Sequence, residues 1–144
     1  MTEAASDLTP APIPAPASGD AVAPWRILCV DDEANILSAL RRLFRQNGYQ
    51  ISVAGGGAEG LQILDTQEFD LIISDMRMPE MDGARFLEQV FKRYPDTVRI
   101  LLTGYADIAS TIEAVNKGQI YRYVSKPWND QELLLIVRQA LAAA

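Results

Sequence analysis

The chain has 144 residues, which suits one domain, and 49% of them are hydrophobic, which is enough to build a packed core of ordinary size. A formal net charge of −6 gives no support to a surface that binds nucleic acid. The absence of His excludes His-based catalysis and His metal ligation, and the single Cys, Cys29, excludes an intrachain disulfide and fits a reducing compartment.

Residues 1–24 differ in composition from the rest of the chain. They contain five of the eight prolines, Ala, Ser and Gly fill most of the remainder, and no Lys or Arg precedes Arg26. Because such a segment cannot bury enough apolar surface to offset its ordering entropy, we predict a disordered tail followed by one domain over residues 25–144. Neither a signal-peptide pattern nor an apolar run near the roughly 18 residues of a membrane span is present, so we expect a cytoplasmic protein without membrane contact.

From Trp25 onward, short apolar runs alternate with segments of helical period. The runs that read as strands are 26–30, 50–54, 70–74, 98–102 and 121–124. Apolar residues recur at helical spacing in 33–47, 58–66, 83–93, 107–116 and 129–142. Five strands in strict alternation with five helices predict an α/β fold, with a parallel sheet, right-handed crossovers and helices on both faces.

The residues that follow the strands carry the candidate chemistry, because ligands of open parallel sheets bind beyond the carboxyl ends of the strands. These residues are Asp31 and Asp32 after the first strand, Asp75 after the third, Thr103 after the fourth and Lys126 after the fifth. Each one alone could be a helix cap, a turn residue or a solvated charge. Three clustered carboxylates repel one another, and a hard cation such as Mg²⁺ would relieve the repulsion.

A carboxylate at this edge has a second use, because it can be the covalent acceptor of a phosphoryl group. A lysine and a hydroxyl group would then hold the transferred oxygens. The set of residues therefore predicts phosphoryl transfer onto an aspartate. The run GGGAEG (55–60) matches the dinucleotide pattern G-x-G-x-x-G, but it follows the second strand and lacks the acidic residue about 20 positions on, so we interpret it as a flexible turn with a helix start.

Four motifs resemble those of response-regulator receiver domains, over about residues 25–142: VDDE (30–33), ISDMRMPEMDG (73–83), LLTGYA (101–106) and YVSKPW (123–128). The resemblance implies a flavodoxin-like (βα)₅ three-layer sandwich with strand order 2-1-3-4-5. It also implies that Asp75 accepts a phosphoryl group from a histidine kinase, a phosphotransfer protein or a small phosphodonor.

The resemblance also implies a role for each site residue. Asp32, Asp75 and the backbone carbonyl of Arg77 would ligate Mg²⁺, and Asp31 would hold the ion mainly through water. Thr103 and Lys126 would bind phosphoryl oxygens, and the Lys126–Pro127 peptide bond would be cis. Thr103 would then move toward the phosphoryl group and Tyr123 would turn inward. The face that responds would be the one formed by helix 107–116, the fifth strand and helix 129–142.

Arg77 and Tyr105 lie two residues after Asp75 and Thr103, at the mouth of the predicted site. Two bulky side chains there would restrict the water that hydrolyses an aspartyl phosphate, which predicts slow to moderate autodephosphorylation.

The run GQIYRYVSKPW (118–128) is similar to receivers that precede HD-GYP or related HD-type output domains, which hydrolyse cyclic di-GMP. No output domain is recognised in this sequence, so a receiver excised from such a regulator and a stand-alone single-domain regulator both stay open. A DNA-binding output domain is a further alternative, although this chain has no surface suited to direct contact with DNA. By resemblance, the partners would include a histidine kinase and a second copy bound through the responding face.

Two other functions compete with this interpretation. A haloacid-dehalogenase-like phosphatase also uses a strand-end Asp with Mg²⁺, Thr and Lys, but its motif requires a second Asp where this chain has Arg77. A receiver that signals without phosphorylation is disfavoured because Asp31, Asp32, Asp75, Thr103 and Lys126 all have the residue types that the chemistry needs.

Overall fold

The computed structural model describes residues 24–104 and 119–143. In chain order the elements are β1 (Arg26–Val30), α1 (Ala34–Gln46), β2 (Gln50–Ala54), α2 (Gly57–Leu64), β3 (Leu71–Asp75), α3 (Gly83–Arg93), β4 (Val98–Thr103), β5 (Arg122–Ser125) and α4 (Asp130–Ala143). The predicted helix over 107–116 and residues 1–23 of the predicted tail lie outside the described residues. The boundary between tail and domain therefore stays a prediction.

The five strands form one parallel sheet in the order β2-β1-β3-β4-β5. The predicted α/β fold with the flavodoxin-like strand order is therefore confirmed. Every residue of β3 is buried, whereas β5 lies at the edge of the sheet and is mostly exposed. This difference follows from position, because a central parallel strand is covered by helices on both faces.

Side chains of successive residues point to opposite faces of the sheet, so the core has two layers. One layer packs against α2 and α3 and includes Leu28, Val30, Ile72, Phe86, Leu87 and Leu101. The other packs against α1 and α4 and includes Ile27, Phe44, Ile73, Leu102, Leu133 and Val137. Burial of each large apolar side chain stabilises the fold by about 1.5–3 kcal/mol, so both layers hold the central strands rigidly.

Three strands end one residue later than the sequence predicts, because backbone pairing with a neighbour continues there. Asp75 pairs with Leu102, which makes it the last residue of β3. Thr103 pairs with Ser125, the last residue of β5. The candidate acceptor and the candidate hydroxyl donor thus belong to the sheet itself. Within the described residues, no helix is long and apolar enough to cross a membrane.

Candidate functional site

Three carboxylates meet beyond the carboxyl ends of β1 and β3. Asp31 and Asp32 follow β1 directly, and Asp75 ends the neighbouring strand β3. One carboxylate oxygen from each residue lies within 4.8 Å of the other two. Asp31 is fully buried and Asp75 is 6% exposed, whereas Asp32 is exposed to solvent. Hard oxygen ligands that converge with one side open to water fit a divalent cation such as Mg²⁺.

Lys126 reaches this cluster from the loop after β5. Its Nζ atom lies 3.0 Å from Asp31 Oδ2 and 2.8 Å from Asp75 Oδ1. The backbone N–H of Lys126 donates to the carbonyl of Thr103 at 2.8 Å, so pairing with β4 places the lysine at the same edge of the sheet as the carboxylates. The peptide bond between Lys126 and Pro127 is cis.

Burial raises the pKa of the Asp75 carboxyl above its ordinary value. The hydrogen bond from Lys126 acts in the opposite direction, and the charges of Asp31 and Asp32 raise this pKa again. Burial acts to lower the pKa of Lys126, but hydrogen bonds to Asp75 and Asp31 outweigh burial and raise it. The ammonium group thus stays charged and offsets part of the repulsion among the carboxylates.

The alternative that Asp31 or Asp32 caps α1 does not hold, because Glu33 occupies the N-cap position and makes no capping hydrogen bond through its side chain. Asp31 instead accepts the Glu33 backbone N–H at 2.8 Å through Oδ1, while its Oδ2 faces Lys126. Both oxygens of this buried carboxylate therefore have donors. These hydrogen bonds offset the cost of burying the Asp31 carboxylate beneath the site.

The other predicted residues lie around this centre. Thr103 is 4% exposed, and its Oγ1 donates to the Gly104 carbonyl at 3.3 Å. Arg77 is exposed in the loop between β3 and α3, and Tyr123 on β5 is 53% exposed. Tyr105 lies outside the described residues. The structure thus brings the three aspartates and the lysine together, places the threonine at the end of the adjacent strand, and places Arg77 and Tyr123 at the periphery.

Two residues at the start of α3 have roles that the sequence analysis missed. Asp82 is the N-cap of α3, and its Oδ1 accepts the backbone N–H of Arg85 at 2.9 Å. Gly83 donates its N–H to the Met76 carbonyl at 2.8 Å, and a Cβ atom at Gly83 would collide with the backbone carbonyl of Asp75. An Asp directly before a helical pattern was the available signal for the cap.

The glycine run 55–60 contributes packing. Gly57 begins α2, as the interpretation of a helix start requires. A Cβ atom at Gly60 would lie 2.9 Å from ring atoms of Phe86, and one at Gly57 would lie 2.8 Å from Met81 Sδ. The two glycines therefore allow α2 to approach α3 and the loop that precedes it.

Comparison with known proteins decides the family. A family model described as "Response regulator receiver domain" matches residues 27–138. The chain belongs to this family. It is therefore a receiver domain of a two-component response regulator, as the four motifs predicted, and its acidic cluster is consistent with the Mg²⁺ and phosphorylation site of such domains. The haloacid-dehalogenase-like alternative finds no support in this match.

The amino-acid sequence of this receiver is similar to those of several curated regulators. It is 38% identical over 117 residues to "Hydrogenase transcriptional regulatory protein HoxA" of Cupriavidus necator, which covers 81% of this chain and 24% of the relative. It is 38% identical over 116 residues to "Regulatory protein AtoC" of Escherichia coli, with 81% of this chain and 25% of the relative covered. The chain thus spans about a quarter of the length of these relatives.

Solved structures agree with the fold. The signal receiver domain of an HD domain-containing protein from Pseudomonas fluorescens Pf-5 matches with a TM-score of 0.81 and 45% identity, over 83% of this chain and 96% of that chain. A CheY-like receiver domain protein from Methanospirillum hungatei JF-1 matches with a TM-score of 0.79 and 32% identity, over 83% of this chain and 95% of that chain.

Proposed function

We propose that Mg²⁺-dependent transfer of a phosphoryl group to Asp75, from a histidine kinase or a phosphotransfer protein, switches this receiver. One observation carries the proposal: oxygens of Asp31, Asp32 and Asp75 converge within 4.8 Å, and Lys126 bridges two of these carboxylates. A carboxylate that is buried at a strand end and faces an ammonium group has the surroundings of a phosphoryl acceptor.

The proposed chemistry divides among a few residues. Asp32, Asp75 and the backbone carbonyl of Arg77 would hold Mg²⁺, with Asp31 acting mainly through water. When bound, the ion supplies positive charge that offsets the charge on the phosphoryl oxygens. A carboxylate oxygen of Asp75 forms the new bond to phosphorus, while the P–N bond of the donor phosphohistidine breaks and its electron pair returns to the imidazole.

Lys126 and Thr103 then stabilise the product. Because Lys126 already lies 2.8 Å from Asp75, it can exchange a carboxylate oxygen for a phosphoryl oxygen with little movement. Thr103 Oγ1 would move from the Gly104 carbonyl to a second phosphoryl oxygen. Tyr123 would follow by turning inward from its exposed position, which changes the face that includes β5 and α4.

Incubation with Mg²⁺ and acetyl phosphate or phosphoramidate, followed by intact-mass measurement, tests the proposal. The wild type should gain the mass of one phosphoryl group, and Asp75→Asn or removal of Mg²⁺ by EDTA should abolish the gain. Asp82→Asn is the matched control, because it makes the same change at the end of the loop after β3 and keeps a good N-cap. A wild type that gains nothing from small donors or from any kinase would overturn the proposal.

Arg77 and Tyr105 would set the lifetime of the phosphoryl group by limiting the access of water. The exposed position of Arg77, two residues after Asp75, supports its part in this proposal. Arg77→Ala and Tyr105→Ala should each shorten the half-life of the phosphorylated receiver several-fold, measured by the decay of the phosphorylated mass after the donor is removed. Unchanged half-lives in both variants would contradict the idea.

We further propose that an HD-type output domain follows this receiver in its full-length protein. The 45% identity to the receiver of an HD domain-containing protein supports this output, whereas curated transcriptional regulators such as HoxA of Cupriavidus necator and ZraR of Escherichia coli are 38% and 33% identical. Sequencing the gene beyond the codon of Ala144 tests the proposal. An HD domain is the expected result, and a DNA-binding domain or a stop codon at that point would contradict it.

Phosphorylation would also promote pairing of two receivers through the face that includes β5 and α4. Tyr121, Tyr123 and Leu135 are about half exposed on these two elements or directly beside them, which supports an apolar contact there. Light scattering with and without beryllofluoride should show an increase in mass for the wild type and none for Asp75→Asn. A monomer under both conditions would contradict this part of the proposal.

A further inference from the structure

Arg99 lies near the start of β4, and Thr103 lies at the other end of the same strand. The side chain of Arg99 is buried and donates several hydrogen bonds. Nη1 donates to the carbonyl of Thr97 at 2.6 Å and to the carbonyl of Pro95 at 3.2 Å. Nη2 donates to the carbonyl of Gln119 at 3.0 Å. The guanidinium group therefore joins the loop that precedes β4 to the residues that lead into β5.

The arginine at the centre of this connection is shielded from solvent. Arg99 is 7% exposed, and its Cζ atom lies 4.9 Å from the centre of the Phe91 ring. Hydrogen bonds from a charged donor are stronger than neutral ones, and a buried donor that loses its acceptor bears the full cost of desolvation. The guanidinium group is planar, so its donors hold the acceptor carbonyls in a defined relative position.

The backbone of Arg99 holds the same segment from the other side. Its carbonyl accepts the N–H of Tyr121 at 2.7 Å, and Ile120 between the two contacts is 8% exposed. Gln119 has a φ of +49°, a left-handed conformation that residues other than glycine rarely adopt. Side chain and main chain of one residue thus fix residues 119–121 against β4.

β5 depends on such an anchor more than the other strands do. It has four residues, it pairs with β4 at one edge of the sheet, and most of it is exposed. A shift of its register by one residue would displace Lys126 by about 3.3 Å. Lys126 Nζ now lies 2.8 Å from Asp75 Oδ1, and such a displacement would take it out of hydrogen-bond reach, so the register of β5 determines whether the lysine reaches the carboxylates.

We propose that Arg99 is a positioning residue for phosphoryl transfer: by holding residues 119–121 to β4, it keeps β5 in the register that delivers Lys126 to Asp75. The inference rests on the proposed function, because it concerns a group that acts in that reaction. It adds a residue outside the carboxylate cluster, at the opposite end of β4 from Thr103.

The test is Arg99→Met, which keeps an unbranched apolar stem beside Phe91 and removes the donors. Hydrogen exchange of amides in residues 121–126 should become about tenfold faster, the factor expected for the loss of a charged hydrogen bond. The rate of phosphorylation by acetyl phosphate should fall by about the same factor. Mg²⁺ affinity, measured by calorimetry, should not decrease, because β1 and β3 position Asp31, Asp32 and Asp75, and withdrawal of Lys126 removes a cation that competes with the ion.

Two further variants sharpen the comparison. Arg122→Met removes an exposed arginine from β5 itself and should behave as the wild type. Arg99→Lys keeps the charge without the planar group and should restore part of both the exchange protection and the rate.

The outcomes separate this inference from the proposed function. A wild type that is never phosphorylated would overturn the proposed function. A phosphorylated wild type with an equally fast Arg99→Met variant would overturn only the inference. A slow variant that has also lost Mg²⁺ affinity, or has lost exchange protection throughout β1 and β3, would show a general loss of structure and would overturn the inference too.

Discussion

Lys126 contacts two of the three carboxylates of the site, so the charge balance there depends on its ammonium group. Lys126→Met removes a cation that competes with Mg²⁺, and we expect Mg²⁺ to bind more tightly by about 1 kcal/mol or more. The same variant should accumulate much less aspartyl phosphate, because nothing replaces the partner of the phosphoryl oxygen. Calorimetry and intact-mass measurement check the two effects.

The control for this prediction is Lys92→Met. Lys92 is exposed on α3, where its Nζ lies 3.9 Å from Glu88, and it should affect neither measurement. Weaker Mg²⁺ binding in Lys126→Met would mean that the lysine organises the carboxylates rather than competing with the ion.

Gly83 illustrates how the backbone limits the residue type beside the site. A methyl group at this position would collide with the Asp75 carbonyl, which belongs to the rigid strand β3. Gly83→Ala should lower the free energy of unfolding by about 2–3 kcal/mol in urea titrations. In Gly56→Ala the new methyl group meets no atom within 4 Å, and the cost should stay near 0.5 kcal/mol, since alanine is a weaker N-cap than glycine. Equal costs for both variants would contradict the steric explanation.

At the scale of elements, α3 is the helix whose N-terminus adjoins the acceptor loop. Asp82 caps it through the Arg85 N–H, whereas α1 begins without a side-chain cap. Asp82→Ala should therefore lower the free energy of unfolding by about 1 kcal/mol, and Asp82→Asn should leave it nearly unchanged. Urea titrations of both variants measure the difference, and a similar loss in both would assign the effect to charge rather than to capping.

The strands differ in how strongly they are held, and the difference suits their roles. β1, apart from the exposed Arg26, and β3 are buried between two layers of helices, and the aspartates lie at or directly after their carboxyl ends. β5 carries Lys126 and Tyr123, is exposed, and has β4 as its neighbour. Rigid strands keep the acceptor in place, while a weakly held edge strand can change position when the acceptor changes charge.

At the scale of the whole molecule, Cys29 reports on global unfolding. Its side chain is fully buried in the central strand β1, and burial raises the pKa of the thiol, with the charge of Asp31 adding to the effect. We expect no reaction with a thiol reagent in the native protein and fast reaction in denaturant. Because β1 lies between β2 and β3, reaction should require unfolding of the sheet.

Asp82→Ala supplies the check on this prediction. Its loss of about 1 kcal/mol in the free energy of unfolding should speed the reaction of Cys29 about fivefold, provided that the sheet opens and closes faster than the thiol reacts. A thiol that reacts rapidly in the folded wild type would show that β1 opens locally.

The pattern of apolar residues was sufficient to predict a parallel sheet and the alternation of strands and helices seen in the described residues, whereas the strand order followed from the resemblance to receiver domains. Continuous apolar runs around Ile27 and Ile72 indicated strands covered on both faces, and acids directly after such runs indicated a site at the carboxyl edge. These features depend on the local periodicity of apolar residues and on the fact that parallel strands all end at the same edge of the sheet. Both can be predicted from residues that are neighbours in the chain.

Tertiary structure alone decided the remaining features. One such feature is the full burial of Asp31. Others are the close approach of Gly83 to the Asp75 carbonyl and the hydrogen bond from Arg99 to the Gln119 carbonyl, which depend on the path of the backbone and on residues distant in sequence. The sequence by itself determined which side chains stand at the ends of the strands, because hydrophobic periodicity and turn chemistry act over a few neighbouring residues. The distances among their side chains, and hence the balance of charge at Asp75, were decided by packing and strand pairing across the whole sheet.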